Sequence, residues 1–368
     1  MERMKRWRAL AAAGMAVALG ASVAQADVAS DRAAAVLVYP VIHISKDRGI
    51  DTLVQISNTS SDLVKVRCFY VNANGRCSDS GKPCFTGSEC SARGFCVPGW
   101  IETDFELYLT AQQPLAWLAS QGLKDFPLRG GFFPSGPTGQ TNAGSRVPGA
   151  GEDPFVGELK CIAVDSQNRP VDRNVLVGSA TVVQHGEDIP PAPLFTDVTH
   201  NSAIGIPAVT GANNGDNKLI LGEEYAGCPE TLILDHYFDG ASNPVTGDEI
   251  RGVLNLVPCT QDFVSQDTNR ITAQFLVFNE FEQRLSTSVP VECDFVRPLS
   301  LIDTRQSNRS IFSAAVSGTL TGQTRIRGVG TGGHGLLGSY YDLHGTHSSS
   351  VNIQFQGVSS ELDVIRLP

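Results

Sequence analysis

Positive charge, aromatic rings and long apolar runs are all in short supply in this chain. Lys and Arg number 28 against 38 Asp and Glu, and aromatics make up 7% of the 368 residues. Arg3, Lys5, Arg6 and Arg8 stand with one acid, Glu2, in the first 26 residues, so residues 27–368 hold 24 basic and 37 acidic groups, a net of −13. That balance excludes nucleic acid or an anionic membrane as a partner, because polyanions would be repelled rather than captured. After residue 26 no stretch approaches the roughly 20 apolar residues of a membrane span. A 41% apolar content is too high for a disordered chain, and no Gly-X-Y period suggests a fibre. His-Glu-x-x-His and Gly-x-Ser-x-Gly are both absent, so neither a zinc protease nor a nucleophile elbow is written in the sequence.

What is present at the N-terminus has the parts of a secretory signal. A basic region ends at Arg8, residues 10–23 are apolar, and Ala24-Gln25-Ala26 supplies a small-x-small site, with cleavage expected after Ala26. Asp27, rather than a cysteine, follows, which argues against a lipid anchor. The expected product is secreted or periplasmic, with no membrane span after cleavage.

Nine cysteines suit that oxidising setting. Cys77, Cys84, Cys90 and Cys96 cluster in an insert over 74–99 that is too polar to build a core. Two local disulfides would restrict it instead; zinc is the alternative, although the spacing lacks paired C-x2-C steps. Cys68 and Cys161 lie on inward strand faces and are expected to bridge two sheets, stabilising by roughly 4–5 kcal/mol. Cys228 and Cys259 flank the first strands of the second half and form the next expected pair. Cys293 is left over as a buried free thiol, with an intermolecular bridge as the alternative.

Period-two alternation over 64–70, 103–109, 159–163 and 174–183 predicts antiparallel strands with one buried and one wet face. The second half repeats the pattern over 231–237, 250–257, 271–278, 287–296, 312–326, 335–343 and 351–355. Residues 114–122, with Pro at the first turn and Gly at the end, predict the one short helix. A Gly/Pro-rich loop is expected over 130–153. The chain then divides into an N-terminal sandwich over 27–200, a linker over 201–217 and a C-terminal sandwich over 218–368. Residues 52–58 and 273–279 share a strand that ends on Asn before a polar turn and a return strand with one cysteine, which predicts two related halves.

Tyr39-Pro40, the Asn58-Thr59-Ser60 turn and the stretches DTLVQISNTSSDLVKVRCFYVNA, WIETDFELYLTAQQPLAWLASQGL and CPETLILDHYFDG carry a resemblance. They resemble uncharacterised exported bacterial proteins with immunoglobulin-like domains and a cysteine-rich insert. The resemblance implies an all-β protein of two immunoglobulin-like antiparallel β-sandwiches, and it brings no activity with it.

Several groups could carry chemistry. His334, His344 and His347, near Asp342, form a candidate zinc site, although no zinc-enzyme motif accompanies them and a Gly-rich hairpin tip, where solvated histidines are common, is the simpler reading. Residues 213–217 with Glu223 and Glu224 offer oxygen ligands for calcium but lack the alternating pattern of a calcium loop. Asp235-His236 reads as a core histidine, and Glu280 with Glu282 as a solvated edge. GVGTGG over 328–333 opens no helix and reads as turns. Trp100, at the exit of the cysteine insert, is the candidate binding contact, with packing into the core as the more common role of such a residue. The sum is a non-enzymatic exported protein with no required cofactor, binding a protein or glycan at the cell surface through its loops. A polysaccharide-directed hydrolase with a cleft between domains and a metal-dependent adhesion module are the alternatives.

Overall fold

The computed structural model describes residues 28–368 except 73–74, 85–89, 98–99, 124–146, 186–194, 210, 213, 267–269, 331–332 and 346. Residues 1–26, where the sequence suggests a signal, and most of the expected Gly/Pro-rich loop therefore lie outside the described residues. The first half contributes β1 (Val36–Ile44), β2 (Ile50–Asn58), β3 (Val64–Asn72), β4 (Gly75–Cys77), β5 (Pro83–Cys84) and β6 (Cys96–Val97). It continues with β7 (Ile101–Leu109), β8 (Pro114–Leu118), β9 (Phe155–Val164), β10 (Leu176–His185), β11 (Phe195–Ser202) and β12 (Ile204–Ile206). The second half holds β13 (Lys218–Leu221), β14 (Pro229–Tyr237), β15 (Ile250–Pro258), β16 (Gln261–Asp262), β17 (Arg270–Asn279) and β18 (Arg284–Glu292). After β19 (Phe295–Pro298) and the helix α1 (Ala314–Ser317) come β20 (Thr321–Val329), β21 (Leu336–His344), β22 (His347–Asn352), β23 (Gln354–Val358) and β24 (Asp363–Arg366).

The protein is all-β, but it is not a pair of immunoglobulin-like sandwiches. Among the described residues the strands are distributed over six small sheets, ordered β12-β1-β9-β3-β7, β11-β10-β2-β8, β23-β14-β20-β17-β18, β22-β21-β15-β19, β13-β24-β16 and β5-β4-β6. In an immunoglobulin domain the first strand pairs with the second and the seventh with the sixth. Here β1 pairs with β9 and β14 with β20, the sixth strands of their halves once the insert is set aside, while β10 and β21 pair with the second strands β2 and β15. Alternation along a strand reports which face is buried, and it carries no information about which neighbour completes the ladder.

The two halves nevertheless repeat one plan. Leave out the two three-stranded sheets, β5-β4-β6 and β13-β24-β16, and number the nine strands that remain in each half; both halves then read 9-1-6-3-4 in one sheet and 8-7-2-5 in the other. The sequence correspondence is one strand out of step, since 52–58 is the second strand of its half and 273–279 lies in the third.

Three cores hold the chain. The first joins the two sheets of the first half around Tyr39, Tyr70, Phe105, Trp117 and Phe155, where the Trp117 indole donates to the Tyr70 hydroxyl at 2.6 Å. The second does the same in the second half around Leu234, Phe238, Phe275, Phe312 and Tyr340. The third lies between the halves and draws in Val36, Val38, Phe69, Ile162, Cys228, Val257, Phe263, Leu337 and Ile365. It explains why every residue of β9 is buried, and all but one of β1 and of β3, although alternation over 64–70 and 159–163 predicted one wet face for β3 and β9. The expected linker is part of this construction: Ile204–Ile206 pairs with Val36–Val38.

The expected helix over 114–122 is a strand, β8, which pairs with β2 through Leu118↔Leu53 to Pro114↔Ser57. Trp117 points into the first core, fully buried, and this burial outweighs the helical propensity of the segment. Cys68 and Cys161 are bonded, but within one sheet: they are directly opposite one another on β3 and β9, so the expected link between two sheets is corrected to a link between neighbouring strands.

Candidate functional site

Three strands of the second half end side by side. Asp235, Gln323 and Phe278 lie in one row across β14, β20 and β17; His236, Gly322 and Asn279 make the next, followed by Tyr237 opposite Thr321. Glu280 follows directly after β17. With Asp342 of β21 these residues line an open cleft of about 530 Å³. The lining has three carboxylates and no Lys or Arg.

The rim is fixed by short-range hydrogen bonds. Asn279 uses its carbonyl oxygen to accept from the Phe281 and Gln283 amides and its NH2 to donate to Ser317 O at 2.9 Å. That turn holds Glu280, whose carboxylate accepts from both the Thr321 amide and its hydroxyl at 2.8 Å. These bonds hold the Glu280 carboxyl below its ordinary range. Across the sheet, Asp235 accepts from the Gln323 amide at 3.0 Å. Gly322 has no side chain because a Cβ there would stand 2.6 Å from the Phe238 ring.

Asp342 behaves differently. It is 8% exposed, and burial pushes its carboxyl up, partly offset by His344. Asn243 turns its carbonyl oxygen to the Val245 amide and its NH2 to His344 Nδ1 at 2.8 Å, so His344 carries its proton on Nε2. Nε2 faces Asp342 Oδ1 at 3.4 Å, and this contact is what opposes the effect of burial on the carboxyl. Tyr237 stacks edge-on against the His344 ring at 5.2 Å.

His236 lines the cleft without being available to it. Its Nδ1 donates to Tyr237 O at 2.9 Å and its Nε2 accepts from the Thr324 hydroxyl at 2.8 Å, and burial lowers it to about 4. It is the core histidine the sequence suggested.

The three histidines considered for zinc do not converge. His344 and His347 face each other across the β21–β22 hairpin, whereas His334 precedes the other end of β21, about 26 Å away at the rise of a strand. Among the described residues, the groups of three with metal-ligating atoms close together are Cys77, Cys84 and Cys90, and Cys228, Cys259 and Asp363. Their cysteines are tied up in the bonds Cys77–Cys90, Cys84–Cys96 and Cys228–Cys259. In the stretch considered for calcium, Asn214 caps the Asp216 amide, Asp216 caps that of Lys218, and Glu224 accepts from the Ile220 amide, so turn geometry occupies these oxygens.

Cys293 is buried and unbonded, at φ +59°, and burial pushes its thiol well up, away from the reactive thiolate. Trp100 is spoken for: its ring meets Phe263 of the second half edge-on at 6.1 Å, and Phe263 stacks on Phe69 at 4.1 Å. Of its two sequence readings, external contact and core packing, the ring contacts correspond to packing.

Sequence reading named Glu280, Asp235-His236 and the Asp342–His344 neighbourhood separately and did not join them. The signal was an acid within the last three residues of a strand or directly after it; what was missing was the pairing of β14 with β20 and β20 with β17. No protein-family model matches the chain, and no curated protein is detectably similar to it. Among the described residues no helix is long and apolar enough to cross a membrane, and the four disulfides are consistent with an extracellular or periplasmic protein.

Proposed function

We propose that this chain is an exported binding protein, delivered by the signal over residues 1–26 and released after Ala26, whose ligand occupies the acidic cleft of the second half. The observation that carries the reading is the gathering of Asp235, Glu280 and Asp342 from different strands around one open volume, held on a rigid frame. A volume of that size takes a small molecule or the end of a polymer. The frame supports the reading because the inter-half core joins both halves into one body, so the rim does not need to be ordered on binding. Resemblance to exported bacterial proteins agrees with the compartment.

The export half of the reading is tested by intact mass of the protein recovered outside the cytoplasm. An N-terminus at Asp27 and a mass eight hydrogens below the fully reduced chain are expected from the four bonds. Nine free thiols on an unprocessed chain would refute it. Binding is tested by thermal shift against a ligand panel, where a ligand that raises Tm of the natural chain should fail to raise that of Asp342→Asn.

One observation favours a second reading, a hydrolase acting on glycosidic bonds. Within the cleft, hydrogen bonds from Thr321 lower the Glu280 carboxyl while burial raises that of Asp342, shifts of opposite direction such as an acid paired with a nucleophile or base requires. Release of reducing ends from a soluble polysaccharide, lost in both Glu280→Gln and Asp342→Asn, would establish it. The cleft then lies within the second half and not between domains, where a packed core fills the space.

A further inference from the structure

We propose that Asn214 is a covalent modification site, at which the Asn214-Gly215 step passes through a succinimide and ends as isoaspartate and aspartate. The step lies in the stretch that the sequence offered to calcium. Three observations support it. Asn214 and Gly215 are both exposed, so water reaches the reacting atoms. Gly215, at φ +84°, has open surroundings: a Cβ built on it would meet only Arg169 Nη1, at 3.5 Å, and among the described residues its amide donates no backbone hydrogen bond. The nitrogen next to the Asn214 side chain is therefore neither crowded nor tied to an acceptor. Asn214 Oδ1 accepts from the Asp216 amide at 2.9 Å, and Asn214 Nδ2 donates to Glu224 Oε1, so the side-chain amide is held at both ends. The N–H on Oδ1 polarises Cγ and remains in place for the negative charge that develops on that oxygen during attack.

Other asparagines lack one or more of these features. Asn243 precedes Pro244, which has no N–H to lose. Asn201 is buried on β11 before Ser202, and Asn217, exposed in the same stretch as Asn214, precedes Lys218.

The reaction balances as a hydrolysis. The Gly215 nitrogen gives its proton to water and bonds to Asn214 Cγ; the Cγ–Nδ2 bond breaks, and Nδ2 leaves as ammonia after taking up a proton. Ring closure within one chain needs no second reactant at this stage. Water then opens the ring. Attack at Cγ gives aspartate, and attack at the backbone carbonyl carbon of residue 214 gives isoaspartate, with the chain running on through the former side chain. One water is consumed, one ammonia is released, and nothing is oxidised or reduced. The product also alters the turn. A carboxylate replaces the donor to Glu224, which accepts the Ile220 amide at 3.1 Å, and repulsion between the two acids loosens that cap.

The test follows the exported, oxidised full chain stored at neutral pH and body temperature in water enriched in heavy oxygen, with peptide mapping by tandem mass spectrometry. Residue 214 is expected to take up the label and to yield separable isoaspartate and aspartate peptides, at least about tenfold faster than Asn217. Gly215→Ala should slow this at least about tenfold, because its Cβ crowds the closing ring and φ +84° suits glycine. In Asn214→Asp, which carries the aspartate product, the Ile220 amide should exchange with deuterium at least about tenfold faster than in the natural chain. Equal rates at residues 214 and 217 of the natural chain overturn the proposal, whatever the variant does to the turn. Aspartate without isoaspartate, or a rate untouched by Gly215→Ala, indicates direct hydrolysis and overturns the succinimide. Unchanged Ile220 exchange in Asn214→Asp overturns the effect on the turn.

Discussion

Lys160 and Glu158 are both fully buried where the two halves meet, and the pair offers the sharpest test of how the halves are joined. Lys160 Nζ lies 2.6 and 2.7 Å from the two carboxylate oxygens of Glu158 and donates to Pro258 O of the second half at 3.2 Å, while Gln261 also donates to Glu158. Burial pushes Glu158 up and Lys160 down, so each charge is tolerated only because the other is there. Lys160→Met would leave a carboxylate without its cation in the inter-half core, at a cost of about 3–5 kcal/mol near neutral pH. Lys160→Met with Glu158→Gln removes both charges and should retain a deficit of only about 1–2 kcal/mol, from the donor lost to Pro258 O. Urea denaturation followed by circular dichroism and tryptophan emission measures both. The pH dependence has a definite sign. In Lys160→Met the folded-state pKa of Glu158 lies above its unfolded value, so the penalty is present at high pH and fades as the solution is acidified towards the unfolded value. A single substitution costing under about 1 kcal/mol, a double costing as much as the single, or a deficit that grows on acidification would each refute the argument.

Three further predictions follow from buried groups. Cys68→Ala with Cys161→Ala, opening a separation of 93 residues, should cost roughly 4–5 kcal/mol in urea, whereas removing Cys84–Cys96 from the peripheral insert should leave the global midpoint nearly unchanged. Phe263→Ala removes the ring between Phe69 and Trp100 and should cost about 3–5 kcal/mol while shifting Trp100 emission to the red; unshifted emission would place Trp100 elsewhere. His236 is lowered to about 4, so its neutral form stabilises the fold above pH 6.5, and about 3 kcal/mol is lost as pH falls towards 4. His236→Gln should lack that portion of the acid sensitivity, and stability profiles that run parallel from pH 7 to about 4 would contradict the assignment.

Much of the local structure was legible from residues alone. Alternation placed strands over 64–70, 103–109 and 159–163 because a strand with apolar residues at every second position has one stable way to bury them. The pairing of Cys68 with Cys161 and of Cys228 with Cys259 followed from inward phase and position. The helix over 114–122 failed because Pro114 and Gly122 are compatible with either state, and Trp117 settles the matter only by finding Tyr70 across the core. The cleft was invisible for a related reason: Asp235, Glu280 and Asp342 are far apart in the chain, and each taken alone is an ordinary surface acid or turn residue.

Composition, cysteine usage and period-two alternation are properties each segment carries with it, and they determine an all-β chain whose disulfides are consistent with an extracellular or periplasmic setting. Strand order, the repeated nine-strand plan, the burial of β1, β3 and β9 on both faces, and the meeting of three carboxylates belong to no segment. They arise when long-range ladders close and one sheet covers another, and the free energy that selects among those closures is shared over residues hundreds of positions apart.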